Sequence, residues 1–257
     1  MTLARIDDKG DRLVVVNMNA KRRGAISPEL YAAIVEATKQ ADDPRIRAVI
    51  LTSEGGYFCA GGDLNVLIER RKLSEPERRE KIDGLHTMIR SIRNCPVPVI
   101  AAVEGGAAGA GASIALACDM IVASAGTQFI ASYVRAGLVP DGGLTSSLAK
   151  MLPRQLAMEM CLLARPVTAE RMAELGVVSE VVEAGQTDSA ADRIVDQLAK
   201  GPRVAQGVIR GLVASGYDNS EDTQLDLERD AMARAQVGDE ASEGISAFLE
   251  KRKAEFK

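Results

Sequence analysis

Runs of β-branched residues alternate with amphipathic stretches through about residue 195, and this alternation constrains the fold more than any other feature of the chain. RLVVVNM (12–18) and IRAVILTS (46–53) suit buried strands. Between them, SPELYAAIVEATKQA opens on Ser27, which can cap a helix, and Pro28, whose fixed φ suits a first turn. The order then repeats. Ser74 and Glu77 form a capping-box pair ahead of a helix running to about Arg93, and CPVPVIAAV resumes a buried strand after two prolines. Strand, helix, strand in this order predicts α/β layers. After about residue 200 the pattern changes to three amphipathic stretches with no strand between them, RVAQGVIRGLVASG, SEDTQLDLERDAMARAQ and DEASEGISAFLEKRKAEF. They predict a helical segment packed on the core or on a neighbouring subunit.

Composition excludes several classes of function. The 257 residues are 46% hydrophobic and 26% charged, as in ordinary water-soluble domains, and the formal charge of −4 gives no general attraction to nucleic acid. Cys59, Cys95, Cys118 and Cys161 are far apart, with no CxxC pair or Cys/His cluster, so they read as reduced, packed thiols and no metal site is expected. His86 is the only histidine. No charged-then-apolar leader opens the sequence, and the apolar stretches are broken by Glu104 or by glycines well short of a membrane span. A cytoplasmic protein without a membrane partner is the expectation.

The stretch AAVEGGAAGAGASIALACD (101–119) gathers glycine and alanine where a strand gives way to a helix beginning near Gly109 or Ala110. A helix start offers unpaired N–H groups, and small residues let a polarised carbonyl or an anion approach them. Tight helix-to-sheet packing accounts for the same residues. GGYFCAGGDL (55–64) is a second glycine-rich transition from strand to loop.

Taken together, FCAGGDL, VIAAVEGGAAGAGASIALACDMIVAS, GLVPDGG and ARPVTAERMAELGVVSEVV resemble the enoyl-CoA hydratase/isomerase family, in its order and at its spacing over nearly the whole chain. The resemblance implies an α/β fold, with a crotonase-type ββα spiral core over residues 1–195 and a C-terminal helical segment, 196–257, that builds a homotrimer, commonly paired into a dimer of trimers. It implies an acyl-CoA thioester as substrate, with coenzyme A carried by that substrate and no further cofactor. The thioester oxygen would be held by the backbone N–H groups of Gly62 and Ala110. Ala60, Gly109 and Ser113 would line the bound thioester. Arg22 and Arg23 lie where relatives contact the phosphates or adenine of coenzyme A; a solvated charge run explains them equally well.

The resemblance is less specific for the reaction. Hydratases of the family carry two glutamates at the positions of Ser113 and Tyr133, and neither is present here. Asp141 in GLVPDGG remains, and that stretch is similar to the enoyl-CoA isomerases of aromatic-acid degradation, in which this Asp is the base. One base suffices to move a double bond, provided the enolate is held. Asp141 also suits a turn or a helix cap. The spacing of His86 resembles that of the chlorobenzoyl-CoA dehalogenases, which pair such a His with a nucleophilic Asp and carry Trp where Tyr133 stands. The alternatives are therefore a hydrolase or dehalogenase of an aromatic or ring-derived acyl-CoA using Asp141 and His86, an atypical hydratase, and a non-catalytic CoA-binding protein.

Overall fold

The computed structural model describes residues 2–256. Its main sheet has six strands: β1 (Ala4–Asp8), β2 (Arg12–Asn17), β3 (Ala48–Ser53), β4 (Val99–Val103), β6 (Met120–Ser124) and β9 (Glu180–Val182), hydrogen-bonded in that order. β1 runs antiparallel to β2, and every other neighbouring pair is parallel.

Parallel strands need cover on both faces, and the side-chain alternation supplies an apolar layer to each. Leu13, Val15, Val49, Leu51, Val99 and Ala101 pack on one side, against Leu30, Ile34 and Ala37 of α1 (Pro28–Gln40) and Met88 and Ile92 of α3 (Glu75–Arg93). Val14, Val16, Ile50, Ile100 and Ala102 pack on the other, against Ala190, Ala191 and Val195 of α8 (Thr187–Leu198). The expected boundary at residue 195 thus falls within a helix of the core, and the chain leaves the core at Gly201 and Pro202. Buried Arg12 ties α8 to the sheet through Asp192 at 2.9 Å and Asp196 at 2.5 Å.

The local signals act as expected. Ser27 accepts a bond from the Leu30 N–H at 3.2 Å, and Glu77 accepts from the Ser74 N–H at 2.8 Å. A second sheet, of β5 (Gly106–Ala108), β7 (Gln128–Ile130) and β8 (Val167–Thr168), interrupts the glycine-rich stretch that was expected to pass straight from strand into helix. A bridge between Cys59 and Ala107 joins the FCAGGDL loop to this sheet.

The helical segment consists of α9 (Arg203–Gly216), α10 (Glu221–Ala235) and α11 (Asp239–Leu249). Arg203 donates to the carbonyls of Ala41 and Ile46 at 2.9 and 2.8 Å, and buried Arg210 bonds to α3 and Asp119, so α9 is docked through two cations. None of the described helices is long and apolar enough to cross a membrane.

Candidate active site

The two backbone N–H groups expected to hold a thioester oxygen lie in neighbouring segments. The FCAGGDL loop and the start of α4 (Ala110–Ala115) lie side by side, held by a bond from the Ala108 N–H to the Cys59 carbonyl at 2.9 Å. A Cβ on Gly61 would fall 2.7 Å from the Ala108 carbonyl and 3.2 Å from the Ala110 nitrogen, so only glycine permits this approach. Among the described residues, neither the Gly62 nor the Ala110 N–H donates to any protein group. Ala110 is the first residue of its helix, where such a donor has no partner within the helix.

Gly111 matters for the same junction, since its Cβ would overlap the Cys59 carbonyl oxygen. Gly111→Ala is expected to cost about 1–3 kcal/mol of stability by overpacking and to lower turnover by separating the two donors. The denaturation midpoint and kcat check this pair of effects. Burial pushes the Cys59 thiol up to about 12, so it remains protonated beneath the loop.

The side-chain chemistry meets at Asp141. Tyr133, in a 3-10 turn (Ser132–Ala136), donates its hydroxyl to Asp141 Oδ1 at 2.8 Å. Ser113 donates to the Asp141 carbonyl at 3.0 Å and lies 3.4 Å from the Tyr133 hydroxyl. A serine has one proton to give, and the shorter contact takes it. Ser113 was expected among the substrate contacts. It is 0% exposed, and its proton is committed to the Asp141 turn. Ser113 stands three residues after Ala110 on α4, about 4.5 Å along the helix axis, and thereby ties the carboxylate turn to the helix that carries the donor. Burial first, and then the Asp141 charge, push the Tyr133 phenol far above the usual tyrosine range. It therefore donates and does not serve as a base.

The other expected site residues make contacts within the protein. The Ala60 N–H donates to the Arg23 carbonyl at 2.9 Å, and the Arg23 guanidinium stacks 4.2 Å over the Tyr57 ring. Arg22 pairs with Asp63, which also caps α2 (Leu64–Arg70) through the Asn65 N–H. The basic turn thus borders the loop of Gly62. Gly109 caps α4, and its N–H is taken by the Ile130 carbonyl at 2.9 Å. His86 is half-exposed, with Nδ1 3.9 Å from Asp83, and no hydrogen bond joins it to Asp141 or Tyr133. Helix α3 meets the Asp141 turn through Leu85, which would lie 3.3 Å from a Cβ on Gly142.

Sequence reasoning missed Tyr31. Burial raises its phenol, Arg70 opposes that rise and Asp141 adds to it, so the ring lies within the field of the site. Its only signal was its place beside the buried α1 stripe at Leu30 and Ile34. Among the described residues, no three His, Cys, Asp or Glu side chains cluster as metal ligands would.

Comparison with known proteins places nearly the whole chain in one family. A family model described as enoyl-CoA hydratase/isomerase matches residues 8–257. The chain is 35% identical to the 1,2-epoxyphenylacetyl-CoA isomerase of Escherichia coli, over 97% of this chain and 95% of that one. It is also 35% identical to a probable enoyl-CoA hydratase of Rhodobacter capsulatus, over 96% and 91% of the two chains. The crystal structure of an enoyl-CoA hydratase from Polaromonas sp. JS666 superimposes with a TM-score of 0.95 at 42% identity, covering 99% of each chain. With the four motifs in order, the two sheets around the glycine-rich junction and a match over nearly its whole length, the chain belongs to the enoyl-CoA hydratase/isomerase family.

Proposed function

We propose that this enzyme moves the double bond of an enoyl-CoA, with Asp141 as the single base. The observation that carries the reading is the pairing of two unengaged backbone donors, Gly62 and Ala110, with one carboxylate whose Oδ2 has no partner among the described residues. The thioester carbonyl accepts from both donors. Asp141 Oδ2 removes a proton from C2 of a β,γ-enoyl thioester, and the electron pair moves into a dienolate whose charge rests on the thioester oxygen. The same carboxyl returns the proton to C4, and the double bond ends between C2 and C3. Each well-aimed donor contributes about 3 kcal/mol to the transition state. Ser113 and Tyr133 fill the positions that a two-glutamate hydration would need, which supports proton shuttling over addition of water. A relative of Streptococcus mutans, 27% identical and named trans-2-decenoyl-[acyl-carrier-protein] isomerase, supports the same reading.

The test is NMR of a β,γ-enoyl-CoA in deuterated water. Migration of the double bond with deuterium uptake supports the proposal. A 3-hydroxyacyl product would replace it by hydration, with Asp141 activating water; release of free acid would replace it by hydrolysis.

We also propose a homotrimer built on the C-terminal helices. Val208, Val213, Tyr217, Leu225, Phe248 and Leu249 are exposed there. The chain exposes 13823 Å², whereas the size scaling of monomers gives about 10,900 Å² for its 27.3 kDa. The excess fits a chain whose helices extend beyond a compact monomer, and the exposed apolar side chains among them offer a surface for a second copy. Light scattering after size-exclusion chromatography is expected to give three or six times the chain mass, and a monomer at micromolar concentration would reject the trimer.

A further inference from the structure

We propose that Tyr133 is the positioning residue of this site, holding Asp141 Oδ1 so that Oδ2 alone is presented to the substrate and serves both proton transfers. The inference rests on the isomerase reading for its chemical meaning, though not for its geometry. The Tyr133 hydroxyl has one proton, and it lies 2.8 Å from Oδ1. The Asp141 backbone is held independently by Ser113, at 3.0 Å from its carbonyl. The carboxyl group is therefore fixed at two points, and rotation about its Cβ–Cγ bond would break the phenol bond. A proton taken and returned by one oxygen needs no such rotation.

The ring edge lies 3.9 Å from where a Cβ of Gly109 would stand, beside the helix that begins at Ala110. A phenol that stays protonated is suited to this task across the working range, because it gives a hydrogen bond and competes for no proton. The charged and titratable groups around the Asp141 turn are Tyr133 itself, Tyr31 on α1 with Arg70 beyond it, and Arg93 on α3. Arg93 is tethered to Ser147 at 3.0 Å.

Tyr133→Phe keeps the ring and removes the bond. It is expected to lower kcat about 10- to 100-fold, as loss of one hydrogen bond to a charged group implies, with KM changed by no more than about twofold. In a crystal structure of Tyr133→Phe the Asp141 carboxyl is expected to turn about its Cβ–Cγ bond or to occupy more than one orientation, while Ser113 still donates to the Asp141 carbonyl. With a C2-deuterated β,γ-enoyl-CoA in ordinary water, the share of label carried to C4 is expected to fall in the same variant, because a carboxyl free to turn loses its proton to solvent. Ser113→Ala, which leaves the phenol bond in place, is expected to lower kcat without lowering that share. A carboxyl that keeps its orientation and an unchanged label transfer in Tyr133→Phe overturn the proposal, even if kcat falls, since a packing role alone predicts that result. If the carboxyl turns in the variant while the parent enzyme fails to isomerise β,γ-enoyl-CoA, the isomerase reading fails and the positioning role stands.

Discussion

Asp141→Asn is expected to lower kcat for double-bond migration by about 10²- to 10⁴-fold, the range associated with loss of a positioned general base. KM is expected to stay close to that of the parent, since the amide fills the same volume and can still accept the Tyr133 hydroxyl through its oxygen. The separation of the two effects is informative. In the proposed mechanism Gly62 and Ala110 bind the thioester oxygen in the ground state as well as in the dienolate, so substrate affinity is expected to survive while proton removal does not. Stopped assays with a β,γ-enoyl-CoA, read at the absorbance of the conjugated product, measure both parameters. Turnover within threefold of the parent would remove Asp141 from the mechanism and return attention to Tyr31 or to bound water.

Arg210→Ala is expected to produce the largest loss of stability in the chain. The Arg210 guanidinium donates to the carbonyls of Ile92, Arg93 and Cys95 at 2.6, 2.8 and 2.7 Å and to Asp119 Oδ2 at 2.6 Å. Ile92 and Arg93 end α3, so the cation satisfies carbonyls that no residue of that helix can reach and sits at the negative end of its dipole. The side chain is 7% exposed and Asp119 25%, which keeps water from replacing the lost bonds. Removing one partner from such a pair costs about 3–5 kcal/mol, and for a chain of this size that is a fall in Tm on the order of 10 °C. Arg210→Lys is expected to recover little of it, because an ammonium cannot span four acceptors in a plane. Chemical denaturation followed by far-UV circular dichroism gives the difference directly. A loss below about 1 kcal/mol would mean that α9 is held by its other contacts.

What was legible in the sequence and what was not divides along the range of the forces involved. The strands β2, β3 and β4 announce themselves through β-branched runs, and α1 and α3 through caps and apolar spacing, because those signals act within a few residues. The three C-terminal helices were legible for the same reason. Strand β5 was not, since Gly106, Ala107 and Ala108 have little strand preference of their own and become extended only by pairing with β7 and meeting Cys59. At the site, the motif resemblance put Gly62, Ala110 and Asp141 on the page. It gave no sign that Ser113 would spend its proton on the Asp141 carbonyl, 28 residues away. Nor did it show that Tyr133 would bond the carboxylate or that Tyr31 would share its field, for those relations exist only once three helices and a turn have packed.

In the proposed mechanism both donors to the thioester oxygen belong to the main chain, and this has a genetic consequence. A catalytic side chain disappears with one codon change, but the N–H of Ala110 persists through every replacement at that position except proline. Exchanges at 113, 133 and 141 can therefore redirect the proton chemistry while the means of polarising a thioester stays intact. Proline is moreover the residue that a first helical turn accepts most readily, and Ala110 occupies that turn. The one substitution that deletes this donor is thus one the helix itself tolerates, so a descendant of this chain could keep its fold and lose half of its electrophile in a single step.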